Sequence, residues 1–135
     1  MLVLDSNTIS YYFRGDSQVV PCLQALSPAD VGVPAIVEYE LRYGLLRLPS
    51  EAANLRLAAL AALLRPMQVL PFDSECAAHA ARIRAELEAA GTPIGPHDTL
   101  IAATVLRHQA TLVTRNVREF SRVQSLQWLN WHEAT

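Results

Sequence analysis

The sequence predicts an α/β fold, a three-layer α/β/α sandwich around a central, mainly parallel sheet. Three observations predict it. Short apolar runs recur along the chain, the pattern of strands covered on both faces. Longer segments with helical apolar spacing separate them, and such alternation builds a parallel sheet through helical crossovers. The length of 135 residues, 51% of them hydrophobic, suits one core and a single domain over 1–135.

Taken in order, Leu2-Val3-Leu4 is the first strand and stops at Asp5. Ser6, Asn7 and Thr8 then offer side chains able to cap a helix whose first turns are Ile9 to Phe13. Gly15-Asp16-Ser17 breaks it, and a second helix covers Val19 to Leu26. Val31-Gly32-Val33 reads as a buried strand, and Pro34 suits the first turn of a helix running to about Arg47. Ser50 is placed to cap a helix from Glu51 to Leu64 with Leu57, Leu60, Leu63 and Leu64 as its apolar stripe, ended by Pro66. Val69-Leu70 is a third strand. Asp73 or Ser74 caps a long helix to Ala90, with Ala80, Ile83 and Leu87 on one face and Gly91 at C′. Thr92-Pro93-Ile94-Gly95-Pro96 is a loop, Asp98 to Arg107 a helix, Thr111 to Thr114 a strand, and Leu126 to Trp131 the last strand.

Composition excludes several chemistries. The formal charge is −2, so nothing global attracts nucleic acid, and any RNA must be held by local patches and metal ions. All 11 positive side chains are arginine. Without lysine there is no P-loop lysine, no Schiff base and no lysine general base, and receiver-type phosphoacceptor domains fall as well. Cys22 and Cys76 have no metal-ligand spacing and are expected to be small buried apolar residues in a reducing cytoplasm. No signal peptide is expected ahead of Leu2, and the longest apolar stretch, Leu57 to Leu64, falls far short of the ~20 residues of a membrane span. A cytoplasmic protein without membrane contact is expected.

In open α/β sheets ligands bind beyond the carboxyl ends of the strands. Asp5 sits at such an end, and Asn116 lies just past another. Asp98 falls in the first turn of its helix, where the positive dipole end favours a carboxylate. Either Asp read alone fits a helix cap equally well. Clustered carboxylates raise one another's pKa unless a cation is present, and hard divalent ions bind through a few carboxylates, water and substrate phosphate. Glu38 and Glu40 lie about 200° apart around a helix, so only one can face the strand ends. Glu38 has Arg42 at i+4 as an exposed partner, whereas Glu40 shares a face with Ile36 and Tyr43; Glu40 is the better ligand candidate, with a purely local hydrogen bond as its alternative. Arg107, Arg115, Arg118 and Arg122 cluster around Asn116, as either a phosphate-binding patch or a solvated helix face. The histidines follow no triad or metal spacing; His97, next to Asp98, is either structural or in touch with substrate. No serine or cysteine occupies a nucleophile elbow.

These residues, in the order Leu4-Asp5-Ser6-Asn7, Glu40-Leu41-Arg42-Tyr43-Gly44, Ile94-Gly95-Pro96-His97-Asp98 and Leu112-Val113-Thr114-Arg115-Asn116 with Glu119-Phe120, resemble PIN-domain toxins of the VapC type. The resemblance spans nearly the whole chain. It implies a PIN-like fold and a Mg²⁺- or Mn²⁺-dependent endoribonuclease, the toxin of a type II toxin–antitoxin pair. It further implies a homodimer, a cognate VapB-like antitoxin whose tail occupies the active-site groove, and structured RNA, often tRNA, as substrate. Carried over by position, Asp5, Glu40 and Asp98 match the family's metal ligands. Ser6 matches the hydroxyl residue expected to orient the first Asp. Asn116 stands where many relatives have a fourth acid, and the amide adds no negative charge; Glu119 either supplies that charge or faces solvent.

The expected reaction is hydrolysis of an RNA phosphodiester by metal-activated water, with Asp5, Glu40, Asp98 and Asn116 at the centre. Ser6, Asn7, Thr114, Arg115 and Glu119 are placed to support the site or position substrate. No histidine pair suggests metal-independent cleavage through the 2′-hydroxyl. Two other classes are weighed. A haloacid-dehalogenase-type phosphatase wants a second Asp where Asn7 stands, and a lysine. A catalytically weak PIN module that only binds RNA or protein is favoured by Asn116 alone.

Overall fold

The computed structural model describes residues 1–133; the last two positions of the domain expected over 1–135 lie outside them. Five strands, β1 (Leu2–Leu4), β2 (Val31–Pro34), β3 (Gln68–Leu70), β4 (Thr111–Val113) and β5 (Gln127–Leu129), form one parallel sheet in the order β3-β2-β1-β4-β5. Leu2 pairs with Val31 on one side and Thr111 on the other, Val33 with Val69, and Leu112 with Trp128. Val3, Leu4, Val31, Val33 and Leu112 are fully buried, as strands covered on both faces must be, while Val69 and Leu129 on the edge strands stay partly exposed. Gly32 lets the strands and their covering side chains approach, since a Cβ there would stand 2.9 Å from Leu70 Cδ1 and from Met1 Sδ.

The helices are α1 (Ser6–Phe13), α2 (Val19–Gln24), α3 (Ala35–Leu46), α4 (Ser50–Leu64), α5 (Ser74–Ala89), α6 (Pro96–Arg107) and α7 (Val117–Phe120), flanking the sheet. A 3₁₀ turn, Pro28–Asp30, leads into β2. The chain winds from β1 outward to β3, then returns to place β4 on the opposite side of β1. Right-handed crossovers in opposite directions put helices on both faces, and the reversal leaves a crevice between β1 and β4 at their carboxyl ends. Ile9, Val37, Leu60, Ile83, Ile101 and Phe120 close the core from the helices.

The caps depart from expectation in instructive ways. Helix α1 is capped by Asp5, whose carboxylate accepts from Thr8 N at 2.9 Å, rather than by Ser6, Asn7 or Thr8. Ser50 is the first residue of α4 and makes no capping bond, and Pro34 ends β2 instead of opening α3. Asp73 caps α5 as expected, and Gly91, at φ +74°, ends it. There the Thr92 and Gly91 amides donate to Leu87 and Glu88 carbonyls in a Schellman arrangement. Helix α2 ends two residues early, at Gln24. Helix α7, only four residues long, escaped the apolar pattern altogether. The last strand stops at Leu129 because the chain turns on Asn130, whose side chain accepts from His132 N at 2.9 Å. Both cysteines are free thiols; Cys76 is buried and Cys22 only half-buried. Among the described residues no helix is long and apolar enough to cross a membrane.

Candidate active site

Asp5 leaves β1 at the reversal of strand order and is only 5% exposed. Its carboxylate accepts from the Thr8 amide at 2.9 Å and from the Thr114 hydroxyl. Thr8 also donates to Val113 O at 3.2 Å, so α1 is pinned to β4 directly beneath the carboxylate. Burial pushes the Asp5 pKa up, with the Glu40 charge adding to it, against the pull of those hydrogen bonds.

Glu40, on α3, presents both oxygens to the same crevice. Ser6 donates its hydroxyl to Oε1 at 2.5 Å, and His97 Nδ1 lies 3.1 Å from Oε2. Ser6 therefore braces Glu40 and not Asp5, because α1 turns its first residue toward α3. Glu38 pairs instead with Arg42 at 2.8 Å on the outer face of α3, as their i, i+4 spacing requires.

Asp98 lies in the first turn of α6, whose cap position is Gly95 with no side-chain capping bond, so this carboxylate is not a helix cap. It hydrogen-bonds Glu119 on α7, and burial together with the charges of Glu119, Glu40 and Asp5 raises its pKa to about 7. Glu119 moves the other way: it is the ionised partner in that hydrogen bond, helped by Asn116 Nδ2 at 3.2 Å and the Gly95 amide. Asn116 thus turns its amide nitrogen to Glu119, and its backbone amide donates to Thr114 Oγ1 at 3.0 Å. Four carboxylates from four segments feel one another at one edge.

The arginine cluster divides. Arg107 bridges to Asp73 and Glu75 on α5, each at 3.2 Å, and Arg122 donates to Pro93 O at 3.1 Å. Arg118 and Asn7 are exposed. Arg115 reaches across to α1. Two participants escaped the sequence reading: Thr8 as a brace of Asp5, and His97 as a fixed neighbour of Glu40. An i+3 threonine after a capping Asp was a visible signal; the His97 contact was not, since 57 residues separate it from Glu40.

The donors fit a hard divalent cation. Every candidate ligand is an oxygen, and no thiol stands among them. Crowded carboxylates with raised pKa values are the condition that a cation relieves. Among the described residues no three such side chains close into a ready-made metal shell.

The PIN-domain family model matches residues 2–126, every element up to the last strand. The chain belongs to the PIN-domain family, among its VapC-type members. It is 31% identical to the tRNA(fMet)-specific endonuclease VapC of Salmonella typhimurium, over 96% of each chain. It is 34% identical to toxin FitB of Neisseria gonorrhoeae, over 98% of this chain and all of that one. The crystal structure of FitAcB from Neisseria gonorrhoeae superposes with a TM-score of 0.90 over 98% of this PIN domain and all of that chain, at 34% identity. PIN ribonucleases as a class depend on divalent metal ions, which matches the all-oxygen donor set of this one.

Proposed function

We propose that this PIN domain is an endoribonuclease that hydrolyses RNA phosphodiester bonds with Mg²⁺ or Mn²⁺, as the toxin of a VapBC-type pair. The observation that carries the reading is Asp5, a buried carboxylate at the strand-order reversal with Glu40, Asp98 and Glu119 acting on the same crevice. Asp5, Glu40 and Asp98 would hold the ion, and Asn116 would complete the centre through Glu119. The bound ion supplies activation of water and neutralisation of the phosphate. The chain's own groups do the rest. Thr8 and Thr114 fix Asp5, Ser6 and His97 fix Glu40, and Asn116 orients Glu119 against Asp98. Asn7 and Arg115 stand at the rim, where substrate would pass.

A relative named for tRNA cleavage supports tRNA, or another structured RNA, as substrate. Relatives solved as VapBC complexes support a VapB-like antitoxin as partner. The same reading takes the toxin to be a homodimer in the cytoplasm, each chain one domain. One observation favours a catalytically weak RNA- or protein-binding module instead: the neutral Asn116 where an acid is common. Glu119, on Asp98, answers it by supplying the charge from the next turn.

Purified protein freed of antitoxin, incubated with total cellular RNA in Mg²⁺ or Mn²⁺ and in EDTA, tests the reading. Discrete fragments that vanish with EDTA, with Asp5→Ala and with Asp98→Asn are expected. Intact RNA under both metals, from protein that is folded and binds RNA, would establish the binding module.

A further inference from the structure

Arg115 lies between two residues of the site, Thr114 and Asn116, yet its side chain leaves the carboxylates and crosses to α1. There its Nη1 donates to Tyr11 Oη at 3.3 Å, and its Cζ stands 5.4 Å over the Tyr11 ring. Tyr11 is itself held from behind. The His132 ring meets it edge-on at 4.8 Å and 62°, and His132 Nε2 lies 3.0 Å from Asp16 Oδ2. The His132 side chain is 9% exposed. Asp16 in turn accepts from the Gln18 and Val19 amides through its other oxygen, which fixes the turn between α1 and α2.

The chain of contacts thus runs Asp16, His132, Tyr11, Arg115, from a fixed turn to one exposed guanidinium. Among the described residues no carboxylate lies within 4.0 Å of Arg115, in contrast to Arg107, Arg42 and Arg84. Of five guanidinium donors only one is used, which leaves a stacked, oriented fork facing solvent. Tyr11 is six residues into the helix from Asp5, about 9 Å along the axis. That is beyond reach of a phosphate held at the carboxylates but within reach of its neighbour on the strand. A protein of net charge −2 with four acids at its site needs such a cation to hold a polyanion there.

We propose that Arg115 takes an RNA phosphate flanking the scissile one, and that Tyr11, backed by His132 and Asp16, is the positioning residue that aims it. The proposal rests on the ribonuclease reading above, so binding and cleavage are measured separately. The probe is a fluorescein-labelled RNA hairpin of mixed sequence, titrated in EDTA at several salt concentrations, with cleavage of the same hairpin followed in Mn²⁺. Arg115→Ala is expected to weaken binding about 5- to 10-fold and to lower the salt slope by about 0.7–0.9, the loss of one phosphate contact. Tyr11→Ala, with Arg115 still present, is expected to reproduce most of that loss, and Tyr11→Phe, which keeps the ring, little of it. The double variant should bind no more weakly than Arg115→Ala alone, because both changes remove one interaction. In cleavage the losses should fall on KM with kcat within about twofold.

An Arg115→Ala protein with wild-type affinity and salt slope would overturn the proposal. So would fully additive losses in the double variant, which would make Tyr11 an independent contact or a merely structural one. If Tyr11→Ala does not fold, His132→Ala carries the same cycle, since it frees the Tyr11 ring without touching Arg115. The expected binding pattern without any cleavage in Mn²⁺ would support the phosphate subsite while overturning the ribonuclease reading.

Discussion

Asp5 and Asp73 do the same local job with opposite consequences. Each ends an extended segment, each accepts from the amide three residues on at 2.9 Å, and each starts a helix. Asp73 stands in solvent with Arg107 across from it, and the capping bonds to Cys76 and the arginine hold its pKa down at about 2. Asp5 is buried, meets Glu40 instead of an arginine, and is pushed upward. A cap that relaxes its carboxylate is structural. At Asp5 the same capping bond holds a carboxylate whose charge burial disfavours.

Breaking that pair should separate activity from stability. Asp5→Asn preserves a good capping side chain, so the fold should survive while metal-dependent RNA cleavage falls about 100-fold or more. Asp73→Asn, measured in the same cleavage assay, should stay within about twofold of wild type. An Asp5→Asn enzyme with near-normal turnover would end the assignment of this carboxylate.

Metal should relieve strain at one cap only. Saturating Mg²⁺ or Mn²⁺ is expected to stabilise the wild type by about 1–3 kcal/mol in thermal unfolding, as any ligand of the native state does. The gain should disappear in Asp5→Asn and persist in Asp73→Asn.

The Asp98 carboxyl sharpens the comparison through pH. Its folded pKa, about 7, is raised above the unfolded value of 3.8. Its contribution is therefore fully present below about pH 4 and lost as pH rises through 7. Metal-free wild type should lose stability across that window. Asp98→Asn should lack the slope and, above pH 7, exceed wild type by about 1 kcal/mol after allowance for the partial exposure of the group. Identical pH–stability curves for the two proteins would show the crowding to be without energetic effect. Asp73 has the opposite sign: its stabilisation, present above the unfolded value, should fade as pH falls toward 2, and Asp73→Ala should lower the thermal midpoint by only a few degrees.

Where sequence reading succeeded, the physics was local. Leu2-Val3-Leu4 and Val31-Gly32-Val33 announce themselves because a strand covered on both faces has no polar alternation. Asp73 and Gly91 bracket α5 because capping needs an acceptor at one end and a left-handed residue at the other. The separation of Glu38 from Glu40 followed from helical rotation, and the Glu38–Arg42 pair bears it out. Helix α7 was missed because four residues carry too little period to read, and with it went the approach of Glu119 to Asp98.

By itself, then, the sequence determined the α/β class, the alternation of elements, and the acids that end up beyond the strand ends, because periodicity, capping and chain reversal act over a few residues. Only the tertiary structure decided that Ser6 serves Glu40, that His97 joins it, that Glu119 shares a hydrogen bond with Asp98, and that Arg115 leans on Tyr11. Those choices depend on which faces the helices turn toward one crevice. The sign of a carboxylate's pKa shift depends on burial and neighbouring charge, and neither can be read from the residues beside it.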